Sequence, residues 1–142
     1  MVNVAIVVPI PSGMPADRIL NRAIEIATQG DFPIVGLLVR SLAEQSQHEI
    51  DDEIDQLSDL LEKTDLAFRF ETRVDGGELA GHLCDVAQEH NAELIIVSLP
   101  PKPANASVHL GDQVQKLLVD APCEVLVVRG ADIFTDSGSE EL

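Results

Sequence analysis

Residues 2–9 read Val2-Asn3-Val4-Ala5-Ile6-Val7-Val8-Pro9. The run is rich in β-branched residues, and its apolar positions do not alternate with polar ones. A strand with one wet face alternates, whereas a strand buried on both faces reads as a continuous apolar run. The stretch therefore predicts a strand inside a parallel sheet. Pro33–Arg40 (PIVGLLVR), Ala92–Leu99 (AELIIVSL) and Cys123–Arg129 (CEVLVVR) predict three more buried strands. Leu66–Val74 is different. Leu66, Phe68 and Phe70 alternate with Ala67, Arg69 and Glu71, which suits a sheet-edge strand with one wetter face.

Helical spacing fills the gaps between these runs. Ile19, Leu20, Ala23, Ile24 and Ala27 form one apolar stripe, with Pro15 near its start and Gly30 just past its end. Ile50, Ile54, Leu57 and Leu61 form a second within residues 43–63. Gly76-Gly77 turns the chain into a third helix, marked by Leu79, Leu83, Val86 and Ala87. After a Pro-rich loop, Pro100–Ala106, the residues Leu110, Val114, Leu117 and Leu118 mark a fourth. The order βαβαβαβαβ predicts an α/β fold: a single doubly wound, five-stranded parallel sheet with helices on both faces. No internal boundary or repeat interrupts residues 1–130. Residues 131–142 carry four acids and no base and are expected to be a disordered tail.

At 142 residues the chain has the size of one domain. A fold of that size buries roughly 68–70% of the surface its unfolded chain exposes. A hydrophobic content of 45% is too high for a disordered chain. The longest uncharged apolar run, Val2–Met14, is broken by Pro9, Pro11, Ser12 and Gly13 and falls short of the ~20 residues a membrane span needs. No basic segment precedes it, so it does not read as a signal peptide. The expected location is cytoplasmic. Nine basic against twenty-five acidic residues give a net charge of −16, which repels nucleic acid and anionic lipid. Neither is an expected partner. The only lysines are Lys63, Lys102 and Lys116. Strong acidity with few lysines fits a halophilic surface, and it equally fits a plain acidic cytosolic protein. Without Trp or Tyr, stacking on bases is not an available binding mode. Cys84 and Cys123 lack CxxC spacing and read as small buried hydrophobes. Residues 44–65 hold nine acids and one base. The acids recur at many helical phases, so they read as a solvated face and not as converging metal ligands.

In such a sheet, ligands bind at the carboxyl ends of the strands, near the switch point between strands 1 and 4 of a 3-2-1-4-5 order. The segments that matter are Ile10–Met14, Ser98–Leu110 and the start of the fourth helix. They contain no GxxxxGK[ST], no GxGxxG and no GxSxG. Ile10-Pro11 offers no acid of the kind a phosphoacceptor site needs. The histidines His48, His82, His90 and His109 lie in separate segments without metal-ligand spacing and read as surface or helix-face residues. No metal site is expected. His109 lies beside the expected crevice.

The ending, Ala121-Pro122-Cys123-Glu124-Val125-Leu126-Val127-Val128-Arg129, resembles the last strand of the universal stress protein family, A-x-C-P-V-L-V-V-R. Ala92–Ser98 is similar to the family's aDLIVMG strand, and Val7–Gly13 to its opening ILVPVDGS. Segment order and length agree over about residues 1–130. The resemblance implies a strand order of 3-2-1-4-5 and often a homodimer. It also implies a site at which some members bind ATP and others do not.

ATP-binding members carry G-x2-G-x9-G-[S/T] after the fourth strand. Here those positions are Ser98, Pro101, Gly111 and Asp112, so one glycine remains. The family's Asp after the first strand falls at Pro11. Glycine in a phosphate loop supplies positive φ and a bare N–H, whereas Pro101 has neither. Ionised Asp112 cannot donate a hydrogen bond, and it brings a like charge to a helix N-terminus that would otherwise attract phosphate. At ~4 Å and an effective dielectric of ~20, two like unit charges cost about 4 kcal/mol, so the expected penalty is on the order of 1–4 kcal/mol. Ile10 and Val39, at the ends of strands 1 and 2, complete the implied site. Lys102 in the loop could meet an anion from the side.

The expectation is a non-enzymatic stress or regulatory module with a degenerate ATP site and no required cofactor. It would act as a homodimer through protein contacts, with a transporter or regulator as a further partner class. Val125, Leu126, Val127 and Val128, on an unprotected edge strand, are the expected dimer contact. The alternative is a module that still takes ATP or another nucleotide in the same crevice. A hydrolase would need a base and a metal carboxylate converging there, for which Asp112 and His109 are the candidates.

Overall fold

The computed structural model describes residues 5–10, 17–74, 76–99 and 112–129. The first four residues, the 131–142 tail, the Pro100–Ala106 loop and the positions Pro11, Pro15, Pro101, Lys102, His109, Leu110 and Gly111 lie outside that set. The elements run β1 (Ala5–Pro9), α1 (Asp17–Gly30), β2 (Ile34–Arg40), α2 (Gln47–Glu62), β3 (Phe68–Val74), α3 (Leu79–Glu89), β4 (Ala92–Leu99), α4 (Asp112–Asp120) and β5 (Glu124–Arg129). The five strands form one parallel sheet in the order β3-β2-β1-β4-β5.

The continuous apolar runs follow from burial on both faces. Side chains alternate across a strand. In β1, Ala5 and Val7 pack with α3 and α4, while Ile6 and Val8 pack with α1 and Leu61 of α2. Both sets are buried. The alternating β3 lies at one edge, and its Phe68 and Phe70 pack on the α1/α2 side. The chain passes from β3 to β4 across the sheet, so α3 and α4 cover the opposite face. That reversal places the switch point between β1 and β4.

The helices start and stop for local reasons. Ser46 caps α2 by accepting from the Glu49 N–H at 3.1 Å, and Glu49 Oε1 accepts from the Ser46 N–H at 2.8 Å. Gly30 was expected just past α1 but is its last residue, and Asp31 (φ 57°) takes the left-handed turn. Gly30 is small for another reason: a Cβ there would lie 2.2 Å from the Phe32 ring. Gly76 and Gly77 make the expected turn with φ of 126° and 79°.

Three burial expectations need correction. Leu118, expected on the buried stripe of α4, is 46% exposed, because Leu117 alone of that helix is fully buried. In β5 the residues Val125 to Val128 are only partly buried, as befits an edge strand with one neighbour. Cys84 and Cys123 are also only partly buried. Both are free thiols packed against the α3/α4 core, and burial raises the pKa of each.

Candidate functional site

A cavity of about 340 Å³ opens at the carboxyl ends of the strands, between the sheet and the α3/α4 layer. Pro9 of β1 and Ile10 just after it, Leu37, Val39 and Arg40 from β2, and Val97 and Ser98 from β4 form its sheet side. Leu79, Ala80 and Leu83 of α3 and Gln113, Val114 and Leu117 of α4 close the other. The topology accounts for its position. Strands β1 and β4 are followed by connections that leave in opposite directions, so a gap remains over their ends.

Three residues expected in the site line it: Ile10, Val39 and Ser98. Asp112 does not. It is exposed in the first turn of α4, one residue before the lining Gln113. Pro11, Pro101, Lys102 and Gly111 lie outside the described residues, as does His109.

Two polar side chains of the cavity, Arg40 and Gln113, are engaged with the protein itself. The Arg40 side chain is 1% exposed. Its Nη1 donates to the carbonyls of Ile10 at 2.9 Å and Val39 at 3.0 Å. Its Nε and Nη2 donate to the two carboxylate oxygens of Glu53 at 3.0 and 2.6 Å. This bidentate pair ties the end of β1 to β2 and α2 and neutralises the buried guanidinium. Gln113 Oε1 accepts from the Ala80 N–H at 2.9 Å, which takes up one free N–H at the start of α3. Gln113 Nε2 donates to Glu78 at 3.4 Å, and Lys116 Nζ donates to both Glu78 oxygens at 2.8 and 2.7 Å. The lysine bond, then the glutamine bond, holds the Glu78 carboxyl below its usual range, and the same contact raises the Lys116 pKa. Both helix N-termini beside the cavity thus carry an acid, Glu78 at the N-cap of α3 and Asp112 in the first turn of α4.

The sequence reading missed Arg40, Gln113 and the α3 wall. Arg40 had a usable signal. A cation that ends a fully buried strand needs a partner, and the next helix is crowded with acids. Glu53 is that partner, so one member of the acidic face is not simply solvated. Gln113 and Leu79 had no signal, since their role depends on how α3 meets α4.

Away from the cavity, the histidines divide. His48 is 85% exposed beside Asp52, as a surface residue should be. His82 Nε2 lies 2.7 Å from the Gly76 carbonyl and braces the turn. His90 is instead held 2.8 Å from Glu71 of β3.

The universal stress protein family model matches residues 5–129. No curated protein sequence matches significantly. Among solved structures, the universal stress protein UspA from Lactobacillus plantarum is similar at a TM-score of 0.71 and 21% identity, over 91% of this chain and 99% of that one. The universal stress protein from Archaeoglobus fulgidus in complex with dAMP gives 0.64 and 21%, over 90% and 99%. A universal stress protein family protein from Arabidopsis thaliana with AMP bound gives 0.59 and 14%, over 93% and 95%. These likenesses share the fold described above, and the family match spans every strand and helix of it: the chain belongs to the universal stress protein family.

Proposed function

We propose that this chain is a stress-response or regulatory module that acts as a dimer through protein contacts, with weak or no ATP binding and no catalytic chemistry. The observation that carries this reading is the state of the helix N-termini at the crevice. An anion site there needs free N–H groups and an unopposed positive dipole end. Here acids stand at both ends, Glu78 in an ion pair with Lys116 and Asp112 in the first turn of α4, and Gln113 occupies the Ala80 N–H. Arg40 is the cation nearest the cavity among the described lining residues, and its donors are directed at Glu53 and two carbonyls. A phosphate would have to displace these contacts. The loss of motif glycines at Ser98 and Pro101 and of the acid at Pro11 points the same way.

A dimer through β5 is supported by the strand's place at the sheet edge and by Val125–Val128, which carry no Lys or Pro to blunt it. Two copies could pair this edge antiparallel about a two-fold axis.

A second reading keeps nucleotide binding. A cavity of about 340 Å³ has the size of a small-molecule site, and relatives of the same fold are found with dAMP and AMP. Two measurements on purified protein separate the readings. The protein-contact reading expects an absorbance spectrum free of co-purified adenine and a dimer on light scattering at tens of micromolar. Stoichiometric adenine, or a monomer at that concentration, would overturn it.

A further inference from the structure

The fold collects three metal-type donors at a second place, the far end of α3 from the crevice. An 11-residue helix spans about 16 Å at ~1.5 Å per residue, so the two places are well separated. Glu71 lies in the edge strand β3, and Glu89 and His90 end α3. Their ligand atoms all lie within 4.8 Å of one another, with His90 Nε2 2.8 Å from Glu71 Oε2. Tetrahedral zinc with bonds of about 2.0–2.2 Å spaces its ligands by roughly 3.5 Å. The set therefore needs a closure of about an ångström at its widest pair and a slight opening at its narrowest. Rotation of two glutamate side chains can supply both. The helix end helps, because Glu89 and His90 stand at the negative dipole end of α3.

The present counter-ion is Arg73. Its Nη1 lies 3.5 Å from Glu71 and its Nη2 3.4 Å from Glu89. Well-made charged contacts of this kind are about 2.7–2.9 Å. Arg73 Nη1 also donates to the Thr72 carbonyl at 3.2 Å. The carboxylates themselves hold the guanidinium loosely, and at 27% exposure it has a path to solvent.

We propose that Glu71, Glu89 and His90 form a binding site for one divalent cation of the zinc class, with Arg73 competing for the same carboxylates. One imidazole nitrogen with two carboxylate oxygens selects zinc or cobalt over magnesium or calcium, which prefer oxygen alone. The bound ion would tie the free edge strand of the sheet to the end of α3, leaving a fourth position for water. The sequence shows no metal spacing here because the imidazole and the Glu71 carboxylate are 19 residues apart in the chain.

The test is calorimetric titration of the metal-stripped full chain with zinc at 0.15 M salt and neutral pH. Cobalt absorbance gives the coordination number. One saturable zinc per chain is expected, not displaced by millimolar magnesium. Glu71→Gln, Glu89→Gln and His90→Gln should each weaken binding at least tenfold. Arg73→Gln should strengthen it severalfold. His48→Gln, at the exposed histidine beside Asp52, should leave it unchanged. Glu89 is 56% exposed, so Glu89→Gln can be read without concern for folding, and circular dichroism checks the others. The proposal is overturned by binding that magnesium matches, by a folded His90→Gln or Glu89→Gln that binds as the wild type does, or by weaker binding in Arg73→Gln.

Discussion

Replacing Glu53 with alanine should be one of the costliest single changes outside the apolar core. Arg40 is buried, with its side chain 1% exposed, and Glu53 takes two of its hydrogen bonds at 3.0 and 2.6 Å. Glu53→Ala removes both and leaves a buried cation whose remaining contacts are the Ile10 and Val39 carbonyls. Breaking a buried pair from one side costs about 3–5 kcal/mol. The surviving carbonyl contacts and the 24% exposure of Glu53 place this case at the lower end, about 3 kcal/mol. With a urea m-value of about 1.5 kcal/mol per molar, the unfolding midpoint should fall by about 2 M. The paired change Arg40→Met with Glu53→Leu removes the charge along with its partner and should cost less than Glu53→Ala alone. Urea unfolding of the wild type, Arg40→Met, Glu53→Leu and the double variant supplies the cycle, with Glu53→Ala measured beside it. A Glu53→Ala cost below about 1 kcal/mol, the range of an exposed ion pair, would refute this account of Arg40. So would a double variant worse than either single one.

The Glu71 carboxyl is held below its ordinary value chiefly by the His90 hydrogen bond. It therefore contributes stability that is present above the unfolded value of 4.5 and is lost as pH falls through the lower folded value; Glu71→Gln should flatten that part of the acid limb in pH-dependent unfolding, and an unchanged limb would count against the pairing. The net charge of −16 should make the melting temperature climb from low to molar salt, as the Debye length falls from about 30 Å at 0.01 M to about 3 Å at 1 M; a flat or falling curve in calorimetry would oppose this. Gly77→Ala places a Cβ 2.6 Å from the His82 ring at φ 79° and should cost about 1 kcal/mol or more in urea unfolding, against no change if the turn is slack. Val127→Pro should shift the expected dimer toward monomer on light scattering while circular dichroism is retained; a dimer that persists would remove β5 from the interface.

The alternation of apolar runs and helical stripes was enough to place every strand and helix among the described residues, because burial on both faces of a parallel sheet leaves short continuous apolar runs that contrast with the helical stripes between them. Even the edge position of β3 showed, in the alternation of Phe68 and Phe70 with Arg69 and Glu71. The site was only partly readable. Ile10 and Ser98 open the segments that topology places beside the switch point, whereas Val39 came only with the site that the family resemblance implies. Arg40–Glu53, Gln113–Ala80 and Glu71–His90 are contacts between elements distant in the chain. Their partners are set by how helices seat on the sheet, and periodicity carries no information about that. The misplaced Gly30 has a similar cause, because its size answers to the ring of Phe32 and not to the turn.

The central claim is that the crevice of this family member no longer holds a nucleoside triphosphate. It is tested most directly by calorimetric titration of the intact chain with ATP and magnesium, at low and at molar salt. The account predicts a dissociation constant of millimolar or weaker, about −4 kcal/mol. It also predicts tighter binding when Pro101→Gly and Asp112→Ser are introduced together. A micromolar constant for the wild type would contradict it.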